Sequence, residues 1–256
     1  MCIRDSNTAA MIVMPNLKQL FSILLLCTIS HLSIADPLQS EVIQSGLKSY
    51  LESNTDGLIK MHDMLLNEAN DDSQTEALNL QILFHEFLIS DLSSKKQKKK
   101  FSALCLSRSD LAAEAINYQA ELFALLSACY GFSAESNFFK AASHGIKSGQ
   151  MMERALEADD RNPFVYLIKG IGDYTRPAFA GASKKNAKAN LAIVLNLLNE
   201  NESNKDLLME AITNFHLGNI AYLEKDYEMA LDYLDKSLSY APQYKRASDL
   251  RSKIKT

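Results

Sequence analysis

Residues 211–244, AITNFHLGNIAYLEKDYEMALDYLDKSLSYAPQY, carry two apolar stripes of helical period separated by three charged residues. Phe215, Leu217, Ile220, Ala221 and Leu223 space as one helix with a solvated back, and Ala230, Leu231, Leu234 and Leu238 share one face of a second. Glu224-Lys225-Asp226 reads as the turn between them. A hairpin of this kind cannot bury both stripes alone, so it commits its neighbours to the same architecture. The prolines after Pro37 agree: Pro163, Pro177 and Pro242 each stand at the edge of an apolar periodic segment, punctuating helices without interrupting them. With 9 Gly and 5 Pro in 256 residues, the turn formers are too few for a sandwich or barrel of many short strands. The chain therefore reads as all-α, and its 47% hydrophobic and 23% charged residues suit a soluble globular protein.

The spacing within 211–244 resembles the tetratricopeptide repeat, a helix-turn-helix of about 34 residues with a Leu-Gly pair, a small residue, a bulky residue and a closing proline. Leu217-Gly218, Ala230, Leu234 and Pro242 fall on those positions, while Asn214 and Ala221 stand where the family has Trp and Tyr. Gly218 and Ala230 would let two helix backbones approach, with Leu217 and Leu234 filling the space between them. The same spacing recurs at 120–131, with Phe123, Leu126, Ser127 and Tyr130, and at 163–174, with Tyr166 and Gly170, although Lys169 replaces the Leu. The second helix of that unit follows an enlarged loop, RPAFAGASKK, and runs through Ala187, Leu191, Val194 and Leu198. Residues 75–92 and 101–116 read as another pair, and 41–69 as one or two further helices. Segment 119–191 is similar to exported tetratricopeptide-like proteins through Ala155, Asn162-Pro163, Tyr166, Gly170, Pro177, Phe179 and Gly181, with Ala182 where that group commonly has a second Gly. The resemblance spans roughly residues 75–245 and implies a helix-turn-helix solenoid, an α-α superhelix.

The first 35 residues read as processing signal. Residues 1–10 belong to no periodic pattern. From Met14, Lys18 supplies a positive start, Leu20 to Ile29 an apolar run, and Ser33-Ile34-Ala35 a small-x-small cleavage site before Asp36. A membrane anchor is the alternative, but the run is about half of what a spanning helix needs. Lipidation at Cys27 is weaker still, because Leu25 and Leu26 occupy the positions where a lipoprotein signal has small residues. Cleavage would remove Arg4, Lys18 and Asp5, leaving a mildly acidic domain of residues 36–256 with 25 basic and 30 acidic residues. The expected location is periplasmic or secreted, where the remaining pair, Cys105 and Cys129, meets an oxidising compartment. If helices 101–116 and 119–131 form a hairpin turning near Asn117, each cysteine lies 12 residues from the turn and the two are level. A disulfide or two packed thiols both satisfy that arrangement.

No constellation in the sequence carries chemistry. His85-Glu86 begins like the zinc-protease pattern His-Glu-x-x-His, but Ile89 occupies the second ligand position. His62, His144 and His216 read as isolated packing or surface residues, and Asp159-Asp160 as a turn. Phosphate loops, nucleophile elbows and Cys-x-x-Cys are absent, so no catalytic residue, metal or cofactor is expected. The run Ser94 to Lys100, SKKQKKK, is the strongest local charge; it reads as a solvated turn, or as a contact for an acidic partner or phospholipid head groups. It lacks the interleaved aromatics of a nucleic-acid site. The expectation is a non-enzymatic interaction module holding a peptide or protein on the concave face of the array, with Tyr174, Arg176, Asn219 and Tyr222 as contacts. The alternatives are a structural subunit self-associating through 175–184, and an enzyme with a dispersed site.

Overall fold

A computed structural model describes residues 40–69, 75–200 and 206–255, and the leader, its cleavage site and Cys27 lie outside them. Among the described residues the regular structure is all helical. The α-helices are α1 (Glu41–Leu51), α2 (Thr55–Ala69), α3 (Glu76–Leu92), α4 (Lys95–Leu106), α5 (Ser109–Glu114), α6 (Gln119–Ser136), α7 (Ala141–Ala158), α8 (Pro163–Thr175), α9 (Lys184–Glu200), α10 (Leu207–Leu223), α11 (Tyr227–Tyr240) and α12 (Lys245–Lys255). Short polar side chains start several of them by accepting otherwise unpaired N–H groups of the first turn. Asn162 Oδ1 accepts from Phe164 and Val165 with Pro163 at the first helical position, Asp206 caps α10, Asp226 caps α11 and Thr75 caps α3.

The most extensive packing is between chain neighbours: α6 with α7, α8 with α9, and α10 with α11. Each hairpin crosses at a small residue. Ser127 and Ser148 exchange hydrogen bonds, each hydroxyl donating to the other's carbonyl at 2.8 Å. At Gly170 an added Cβ would lie 2.8 Å from Leu191 Cγ, and at Gly218 one would lie 3.0 Å from Leu234 Cγ and 3.2 Å from the Ala230 carbonyl. Ala187 and Leu191 thus do for α8 and α9 what Ala230 and Leu234 do for α10 and α11. Ser237 reinforces the last crossing by donating to the Ala211 carbonyl at 2.7 Å.

Three expectations about local structure are corrected. The lysine run is the first half of α4 rather than a turn. Lysines at a helix start oppose its dipole, but burial of Phe101, Ser102 and Cys105 on the same helix and the pairing of Lys98 with Glu135 at 2.9 Å hold it. The segment 101–116 is two helices, broken at Ser107 and Arg108, so the hairpin around Asn117 does not form as drawn; α4 instead packs antiparallel along α6. Finally, α10 has no solvated back. Glu210, Thr213, Asn214 and His216 are buried along with its apolar stripe, because the helix is surrounded by its neighbours.

Cys105 and Cys129 are joined by a disulfide, with their Cα atoms 6.3 Å apart. The bridge ties α4 to α6 and closes a loop of 24 residues, a constraint worth about 3 kcal/mol in the unfolded chain. Mass mapping of peptides cut without reductant should find the segments around Cys105 and Cys129 linked; recovery of both as free thiols would contradict the pairing. The helix crossings give a second test. Gly218→Leu and Gly170→Leu should each destabilise by about 1–3 kcal/mol, measured by urea denaturation, and a wild-type midpoint in either variant would mean that the crossing is placed wrongly.

Candidate functional site

Helix α1 packs against its chain neighbour α2 and across α3. Gly46 lets it come down on α3, where a Cβ would lie 2.5 Å from the His85 ring. Its apolar face, Ile43, Leu47 and Tyr50, then roofs a small cleft, partly open to solvent, with about 40 Å³ of free space inside. The walls are Phe84, Phe87 and Leu88 of α3, Phe164, Leu167, Ile168 and Ile171 of α8, and Met209 and Ile212 of α10. Phe84 is the hinge of this lining, with ring centroids 6.2 Å from Phe87 and 5.9 Å from Phe164. Tyr50 and Asp206 are the polar residues of the lining.

Behind Tyr50 the two ends of the domain meet. Arg246, on α12, donates to Asp91 Oδ2 of α3 at 2.7 Å and to Tyr50 Oη at 2.9 Å, while Tyr50 donates to the same Asp91 oxygen at 2.7 Å. The guanidinium also stacks over Phe215, 4.8 Å from the ring centre. Burial alone would raise the Asp91 carboxyl, but the Arg246 charge and the Tyr50 hydroxyl outweigh it and hold it below the usual carboxylate range. Burial and the neighbouring Asp91 push the Tyr50 hydroxyl well up, so it stays protonated and donates.

Next to this clasp, Tyr174 Oη lies 2.6 Å from His216 Nδ1. Burial first, and then the Arg246 charge, push His216 down to about 3, and burial pushes Tyr174 up to about 12. The phenol therefore donates to a neutral imidazole and accepts from Asn219 Nδ2 at 3.3 Å. A second buried cluster fixes α2 to α3. Glu86, 0% exposed, meets His62 Nε2 at 3.1 Å and receives the Arg108 Nε–H at 3.4 Å.

Of the four residues expected to face a partner, Tyr174 and Asn219 bond to one another at the clasp. Arg176 folds back on the end of α8, bonding the Gly172 carbonyl at 2.9 Å and Asp173 at 2.9 Å. Tyr222 packs beside Tyr227 with Lys253 over its ring. Phe123, Leu126, Ser127, Leu217, Gly218, Ala230 and Leu234 are in the helix interfaces, Tyr130 and Tyr166 are half-buried, and Pro242 follows the end of α11. The Pro177–Gly181 stretch is a short 3-10 turn closed by Gly181 with φ of 83°, and the burial expected of Phe179 falls outside what is described. Sequence reasoning missed Asp91, Arg246 and Tyr50, since nothing local marks residues that meet across the chain. Among the described residues no group of three or more His, Cys, Asp or Glu is placed to hold a metal ion. No family model matches this sequence, and no curated protein is similar to it.

The buried histidines make stability depend on pH. Burial pushes His85 down to about 4, partly opposed by its bond to the Gln81 carbonyl, and His216 down to about 3, from an ordinary 6.5. Between about 6.5 and 4 the unfolded chain binds protons that the folded chain refuses, so stability falls as the pH is lowered through that window. Asp91, held low, adds a further loss only at more acidic pH. Urea midpoints measured across the window should drop toward acid, and His216→Asn should flatten the slope by about one proton's worth. A wild-type midpoint independent of pH would contradict the burial assigned to both rings.

Proposed function

We propose that this chain is a non-enzymatic binding protein of the exported tetratricopeptide-like class, in which an array of helical hairpins holds an apolar segment of a peptide or protein partner on its inner side. The observation that carries the reading is the apolar cavity between α1, α3, α8 and α10. Its lining suits an apolar side chain, with few polar groups to orient it. The seating of α1 supports it further: an amphipathic helix presenting Ile43, Leu47 and Tyr50 already packs on this face, so a second such segment meets compatible chemistry beside it. The repeated crossings at Ser127, Gly170 and Gly218 support the tetratricopeptide-like reading.

An enzymatic alternative draws less support, because the titratable groups of the lining are engaged: Tyr50 bonds to Asp91 and Arg246, and Asp206 accepts the Leu208 and Met209 N–H groups at the start of α10. Self-association through 175–184 also draws less, since the Ser183 N–H donates to the Asp173 carbonyl at 2.7 Å and folds that loop back onto α8.

Ile171 lines the cavity while remaining only partly buried, so Ile171→Trp fills the space with little strain on the core. Tagged wild-type protein should retain a specific partner from an envelope extract, and the tryptophan variant should lose it at an unchanged melting temperature. Equal retention by both would place partner binding elsewhere.

A further inference from the structure

Among the described residues, the most exposed aromatic side chains and the strongest run of positive charge lie at the same end of the α4–α6 pair. Helices α4 and α6 run antiparallel: Cys105 is bridged to Cys129, and Lys98 Nζ pairs with Glu135 at 2.9 Å. This register brings Lys95 and Lys96, at the start of α4, level with the residues just beyond α6. Those residues are Phe138, Phe139 and Lys140, a single 3-10 turn leading into α7. Phe138 is 89% exposed and Phe139 96% exposed, their rings set edge to face with centroids 6.0 Å apart. Lys95, Lys96, Lys99 and Lys100 are exposed as well. Lys98 is the member of the run turned inward, spent on Glu135 and on the Phe132 ring.

We propose that this end of the molecule docks on an anionic phospholipid surface, with Phe138 and Phe139 entering the headgroup region and Lys95, Lys96, Lys99, Lys100 and Lys140 around them. Charge complementarity selects this occupant. The formal charge of the whole chain is −4, so nothing but a local concentration of lysines would draw it to an anionic bilayer. The N-terminal end of the α4 dipole adds to the positive field there. A two-fold contact with a second copy would set one lysine run against another. The phenyl rings stand on a protruding turn, the shape for insertion into a soft interface, and aromatic side chains are favoured at that depth. The proposal is independent of the inner cavity, which lies on other helices.

The chain contains no tryptophan, so Phe139→Trp places one reporter at the tip. With vesicles containing phosphatidylglycerol its emission should shift to the blue and be quenched by acyl-brominated lipid, and high salt should reverse both changes. Replacing Lys95, Lys96, Lys99 and Lys100 together by Gln should weaken the response by roughly a hundredfold or more in lipid concentration, at an unchanged circular dichroism melt. Three results would overturn the proposal: no change with these vesicles, an equal response to pure phosphatidylcholine, or a blue shift without lipid that grows with protein concentration. The last would assign the tip to contact between copies instead.

Discussion

Arg246 reaches Asp91 across 155 residues of chain, and Tyr50 bonds to both partners. The first and last described helices, α1 and α12, are thus fixed to the same half-buried point on α3. This constraint adds to the seating of α1 on α3 by Gly46, Ile43 and Leu47, because Tyr50 sits near the C-terminal end of α1. It also sets the local electrostatics, since the guanidinium charge helps keep His216 neutral and so fixes the direction of the Tyr174 hydrogen bond.

The clasp and the cavity divide the inner side into two chemistries. Toward α12 the groups are polar, buried or half-buried, and engaged with each other, which stabilises one arrangement of helices. Toward α8 and α10 the surface is aromatic and aliphatic with spare volume. The lysine-rich start of α4 and the Phe138–Phe139 turn belong to a third region, positioned by the Cys105–Cys129 bridge rather than by the clasp. All three regions are carried by one core, in which α3 and α6 pack directly on each other.

The hairpins were legible in the sequence because their determinants are local. Gly218 with Ala230 and Leu234, and Gly170 with Ala187 and Leu191, recur at helical spacing, and Pro163, Pro177 and Pro242 mark the helix edges where they were expected. The solvated back expected for α10 was misleading for a definite reason. Asn214 Nδ2 donates to the Glu210 carbonyl and Thr213 Oγ1 to the Met209 carbonyl, so these polar side chains satisfy themselves on their own helix and can be buried. Glu86 was hidden in the same way, inside an apolar run where periodicity reads only a face. The placement of α1 was illegible, because it rests in part on residues 50 and 246 meeting, and no periodic pattern encodes a contact over 196 positions. Tyr174 and Asn219 read as exposed contacts on the inner face of the first helices, whereas they bond to one another beside His216.

The account stands or falls on the closure of the domain by Asp91 and Arg246. A double-mutant cycle with Asp91→Ala, Arg246→Ala and the combined variant, read by urea denaturation, measures it most directly. The expected coupling is about 1–3 kcal/mol, with each single variant costing more than its share because the other charge is left partly buried. A coupling energy near zero would contradict the claim that this pair holds α12 to α3 and α1 to the inner face.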